Sequence, residues 1–143
     1  MSFDAAQADV LAEATLLAAQ PLTAPATTLV VLPVALVPTY DIYLDLVEHL
    51  SSSLLHLPLD VVPFHPLALF SEGDSPPNET DPAQFATRSP LPLVHLLRNC
   101  DVAEAERLWD GHDVVAANKE RLRGVGWAAL VKAMAGYAAL ADG

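Results

Sequence analysis

Histidine and arginine gather in one segment of an acidic, base-poor chain: His65, Arg88, His95 and Arg98, with Ser89 beside the first arginine. A histidine titrates near neutral pH and can move a proton, while an arginine can stabilise negative charge. Only Arg88 and Arg98 precede Arg107, and no lysine precedes Lys119. Basic groups so isolated either pair with neighbouring carboxylates or hold an anionic ligand. Ser89 as an N-cap and Pro90 at the first helical position predict a helix there. Its free N–H groups and dipole would favour a carboxylate or phosphate, although Pro90 and Pro92 remove two donors. Leu91, His95 and Arg98 would share one stripe of that helix. His65 stands at the end of a predicted strand, where ligands collect in open α/β sheets. The expectation is an anion or small-molecule site formed by His65, Arg88, Ser89, His95 and Arg98. In it Arg88, Ser89 and Arg98 bind, and His65 or His95 acts as acid or base.

Each residue also has a purely structural role open to it, because ion-pair networks imitate sites. His65 can bond a backbone carbonyl, Arg98 can pair with Asp101, and Arg88 can pair with Glu79 or Asp81. The alternative to a ligand site is therefore a non-catalytic assembly protein, homo-oligomeric through its apolar excess. Elsewhere the signals are weaker. His49 and His56 stand seven apart with no third ligand nearby, so no metal site is expected. His112 falls in a turn beside Asp113, and Cys100 reads as a buried, inert thiol on the apolar stripe. Trp109 and Trp127 read as core or interface anchors. No phosphate-binding loop, dinucleotide glycine pattern or nucleophile elbow occurs, and no cofactor is expected.

The elements that must position these residues follow from periodicity. Phe3 to Gln20 has helical spacing through Val10, Leu11, Ala14, Leu17 and Ala18, with Ser2 as cap and Pro21 as stop. Thr27 to Leu32 is a continuous β-branched run, expected as a strand buried on both faces. Thr39 precedes a helix through Tyr43, Leu46, Val47, Leu50 and Leu54. Leu57 to Phe64 is a second strand candidate, which Pro58 and Pro63 place at an edge or leave interrupted. Strand, helix and strand in this order make a βαβ unit. Ser71 to Thr87 reads as a long loop, of a length usually functional or mobile. Asp101 and Glu104 have capping-box spacing and predict a helix to about Trp109, stopped by Gly111. A last helical region follows Asn118 to Leu140, broken at Gly124 and Gly126. The fold class expected is α/β: one domain over residues 1–143, two to three strands on a βαβ unit, and a helical C-terminal third.

Composition sets the frame. The chain has 143 residues, 52% hydrophobic and 17% charged, which suits one hydrophobic core rather than a disordered acidic chain. Its formal charge of -11 repels phosphate backbones, so nucleic acid is not an expected partner. A mean hydropathy of +0.33 is high for a small soluble protein and points to a partner or a second copy. The longest apolar run, Leu29 to Pro38, is too short to span a bilayer, so no membrane is expected. A single cysteine and the lack of a basic, apolar leader predict a reducing, cytoplasmic setting.

The run FHPLALF (Phe64 to Phe70), followed after a loop by TRSPLPLVHLLRNCDVAEA (Thr87 to Ala105), resembles the DUF1415 family. That family's pattern has a strand ending in Phe-His-Pro, an Asn-Arg-Ser-Pro-Tyr-Pro element and a His-Leu-Leu-Arg-Glu helix. TYDIYLDLVEHL (Thr39 to Leu50) and ERLRGVGWAAL (Glu120 to Leu130) agree with it as well. The resemblance implies that His65, Arg88, Ser89, Pro90, His95 and Arg98 are characteristic polar positions. It implies no activity, since the family has none known. Thr87 stands where the pattern has asparagine, and an N-terminal element with a Cys-Pro pair has no counterpart before Phe3. The expectation is a truncated or diverged member.

Overall fold

Ser2 and Thr39 start the two helices that build the core. In the computed structural model, which describes residues 2–109 and 113–141, Ser2 Oγ accepts from the Ala5 N–H at 3.2 Å. This caps helix α1 (Phe3–Ala18). Thr39 Oγ1 accepts from the Ile42 N–H at 3.3 Å and caps helix α2 (Tyr40–Ser53). Ala6, Val10, Ala14 and Leu17 recur at three- and four-residue steps and form the buried face of α1, as Tyr43, Leu46 and Leu50 do for α2. Both faces pack with Leu32, Val37, Leu54, Val94 and Leu96 into one hydrophobic cluster.

That cluster lies on one side of a sheet made of β1 (Thr27–Val31), β2 (Leu59–Phe64) and β3 (Leu93–Arg98). The spatial order is β1-β3-β2, and β3 runs antiparallel to both neighbours. Strands β1 and β2 therefore point the same way, and the expected strand–helix–strand unit is present with β3 inserted at its centre. Strand β2 starts just after Pro58 and sits at an edge, as Pro63 within it requires, with Pro63 opposite Val94.

Two expectations need correction here. The residues after Ser89 form β3 rather than a helix. Leu93, Leu96, Leu97 and Cys100 fit a helical face, but Val94, Leu96 and Arg98 fit a strand face equally well, and burial alternates along the segment accordingly. So short an apolar run carries no decisive period, and pairing on both sides settles it as strand. Strand β1 is not buried on both faces. Leu29 is 59% and Val31 55% exposed, because the two core helices cover only the opposite side.

Helix α3 (Asn99–Leu108) follows β3 directly, starting ahead of Asp101. The expected capping box does not form, since Arg98 and the Ala26 N–H take the Asp101 carboxylate instead. Cys100 is exposed on the first turn, not buried. Helix α4 (Val114–Val125) begins before Asn118, where Asp113 Oδ1 accepts from the Ala116 N–H at 2.9 Å. Gly126 separates it from α5 (Trp127–Ala141) with φ at 89°, a conformation that suits glycine. Gly111 and His112 lie outside the described residues. Among the described residues no helix is long and apolar enough to cross a membrane.

The long loop is fastened rather than loose. It closes in a 3-10 turn, Pro82–Thr87, started by the Asp81 side chain, which accepts from the Ala83 N–H at 2.9 Å. The buried amide of Gln84 accepts from the Phe70 N–H and donates to the Phe70 carbonyl, both at 2.9 Å, and to the Asn78 carbonyl at 3.1 Å. Helix α4 adds charge pairs: Lys119 to Glu72 at 3.0 Å and Arg123 to Asp81 at 2.8 Å. These partners hold the Glu72 and Asp81 carboxyls below their usual range.

Candidate functional site

Alternation along β3 decides where its polar residues go. Leu93, His95 and Leu97 face one side of the sheet, and Val94, Leu96 and Arg98 face the side of the core helices. A helix would have joined His95 and Arg98 on one stripe; the strand separates them.

Arg98 is 2% exposed and uses its whole guanidinium. Nε and Nη2 grip Asp101 at 2.6 and 3.1 Å. Nη1 donates to the carbonyls of Gln20 and Pro21 at 3.2 Å each, and Nη2 to that of Ala24 at 2.7 Å. Five N–H groups have five acceptors, so nothing is left for a ligand. The pairing holds the Asp101 carboxyl below its usual range, through the hydrogen bonds from Arg98 first.

His65 is also 2% exposed. The Leu67 N–H donates to its Nδ1 at 3.0 Å, which fixes the proton on Nε2, and Nε2–H donates to the Val37 carbonyl at 3.1 Å. Its ring packs on Tyr43 and Tyr40, with centroids 5.0 and 5.7 Å away. Both ring nitrogens are engaged by backbone. The Ser89 hydroxyl, equally turned inward, donates to the Leu91 carbonyl.

His95 lies on the open sheet face beside Phe64, ring centroids 6.3 Å apart. The Thr27 hydroxyl donates to the Leu96 carbonyl at 2.8 Å, so it accepts from His95 Nε2–H, leaving Nδ1 without a partner among the described residues. Partial burial moves the imidazole pKa down.

Arg88 differs from all of these. Its Nε donates to the Ala68 carbonyl at 2.9 Å. Its guanidinium carbon lies 5.2 Å from the Phe85 ring centre and 5.3 Å from that of Trp127, and the two rings meet edge to face. This is cation–π packing on two aromatic groups. No carboxylate among the described residues forms an ion pair with it: Asp81, an expected partner, is taken by Arg123, and Glu79 stays unpaired. Burial moves the guanidinium pKa down, and the charge of Glu79 partly offsets that. Arg88 borders a cleft of about 350 Å³ lined also by Leu67, Leu69, Glu79, Thr80 and Trp127.

The structure thus brings His65, Arg88 and Ser89 close through backbone, sends Arg98 beneath the sheet and His95 to its open face. Gln84, Phe85 and Trp127 were not singled out as site residues in the sequence. Trp127, read from the sequence as a core or interface anchor, reaches Arg88 from helix α5.

The family model described as "Protein of unknown function (DUF1415)" matches residues 2–132. Comparison with curated proteins and with solved structures gave no match.

Proposed function

The chain belongs to the DUF1415 family, whose description assigns no activity, and from its geometry we propose that it binds a small carboxylate or other anionic ligand at Arg88. One observation carries this reading: Arg88 alone of the five polar residues has a charged group fixed in place and left without a counter-ion among the described residues. A guanidinium packed within cation–π distance of two aromatic rings, with its Nε bonded, has its orientation set in advance. Its remaining N–H groups then meet a carboxylate without reordering the side chain. His65 and Ser89 support the site from behind, Arg98 clamps the segment between α1 and β1 instead, and His95 is the histidine with a nitrogen free to exchange a proton. Arg88→Gln is expected to weaken binding of a simple carboxylate by at least about tenfold. The shift of the Trp127 indole resonance on titration measures this, and equal shifts in wild type and variant would remove the proposal.

A second reading has its own support in the open sheet face. Leu29, Val31, Val62, Phe64, Leu93 and Leu97 surround His95 there, and none is fully buried. Strand β1 carries no charge or proline along its free edge, unlike β2, and such edges pair readily. Self-assembly through this face would follow. Leu29→Lys should then shift the mass measured by light scattering from oligomer to monomer. A wild type that stays monomeric at high concentration would dismiss this reading.

A further inference from the structure

The Arg88 cleft holds an opposite charge that the binding of a simple anion does not explain. Glu79 lines the same cleft and is near enough for its charge to act on Arg88, yet the two form no ion pair, and Glu79 has no other cationic partner among the described residues. Thr80, also in the lining, donates its hydroxyl proton to Asn78 Oδ1 at 3.1 Å and so keeps lone pairs to offer. The rest of the wall is Leu67, Leu69 and the Trp127 ring.

A dianion such as phosphate would meet one cation, one carboxylate and a chain of net charge -11. It would gain from Arg88 and lose to Glu79 and to the overall field. A ligand with both charges gains twice. We propose, building on the Arg88 reading, that the cleft takes a zwitterion: a free amino acid with an apolar side chain. Its carboxylate lies on the Arg88 Nη groups, its ammonium donates to the Glu79 carboxylate and Thr80 Oγ1, and its side chain covers Leu67, Leu69 and Trp127. A volume of about 350 Å³ is at the small end for ligand sites and suits a molecule of this size.

The test uses the full chain and four probes: leucine, N-acetyl-leucine, leucinamide and inorganic phosphate, each titrated against the Trp127 indole resonance. Leucine should bind at least about tenfold more tightly than any other probe, since each of the others lacks a charge or adds one. Glu79→Gln should weaken leucine by a similar factor but should not weaken N-acetyl-leucine, whose lone carboxylate is freed from a like charge. If N-acetyl-leucine or phosphate binds as well as leucine and Arg88→Gln abolishes it, the zwitterion is overturned and the anion site stands. If none of the probes moves the resonance, both fall. Equal binding of leucinamide and leucine would also overturn both, because the carboxylate would then be idle.

Discussion

Arg98→Ala is expected to lower the melting temperature by roughly 10 °C or more, since it removes one partner of a buried charge pair. The guanidinium does more than meet Asp101. It takes the carbonyls of Gln20, Pro21 and Ala24, in the segment that carries the chain from α1 to β1, while Asp101 also accepts from the Ala26 N–H at 3.2 Å. Truncation leaves those acceptors and a carboxylate without their donor. Arg98→Lys should recover only part of the loss, because one ammonium cannot reach acceptors spread around a planar fork. Asp101→Asn should be milder, as the Asp101 side chain is partly exposed and the three carbonyl bonds survive. The sign of the pH effect follows from Asp101. Its folded pKa lies below the ordinary value of 3.8, so its contribution is complete above that value and fades as acid lowers the pH through the folded pKa. Thermal scans at neutral and acid pH measure both effects. A shift of only a few degrees for Arg98→Ala at neutral pH would contradict the assignment.

That clamp was legible as a pairing three residues apart, and its depth was not. Ser2, Thr39 and Gly126 announced helix boundaries because caps and breaks are local chemistry, set by neighbours in sequence. Pro63 announced the edge position of β2 for the same reason. The segment from Leu91 to Arg98 was not readable in that way. Leucines at nearly every second or third position satisfy two periods, and only the flanking strands choose between them. The cost of misreading it was functional, because helix spacing unites His95 and Arg98 whereas strand alternation parts them. A similar limit hid the Arg88 frame. Phe85 was close in sequence, but Trp127 arrives from α5, and no local pattern says which arginine a distant tryptophan will cover. The bareness of β1 was equally a tertiary matter: its composition suits burial, while α1 and α2 supply only one cover.

His65→Ala is expected to cost roughly 3 kcal/mol, from a cavity against Tyr40 and Tyr43 and the stranded Leu67 N–H and Val37 carbonyl. The urea midpoint measures this, with an unchanged slope showing that the loss is one of stability. A histidine kept for proton transfer alone would not behave so, since its removal would spare the fold. The backbone gives His65 a second consequence. Its N–H donates to the Thr87 carbonyl at 3.2 Å, and its carbonyl accepts from the Ala68 N–H at 3.0 Å. Ala68 in turn offers its carbonyl to Arg88 Nε, and Leu67, bonded to the His65 ring, lines the Arg88 cleft. One residue therefore fixes both the segment before Arg88 and the turn opposite it. These bonds tie the Phe-His-Pro and Arg-Ser-Pro segments together across a long loop. His65→Ala should weaken carboxylate binding at Arg88 even under conditions where the variant is fully folded. His65→Asn, whose amide oxygen can accept from the Leu67 N–H, should restore part of it. Binding that survives His65→Ala unchanged would detach the histidine from the site and leave it a core residue only.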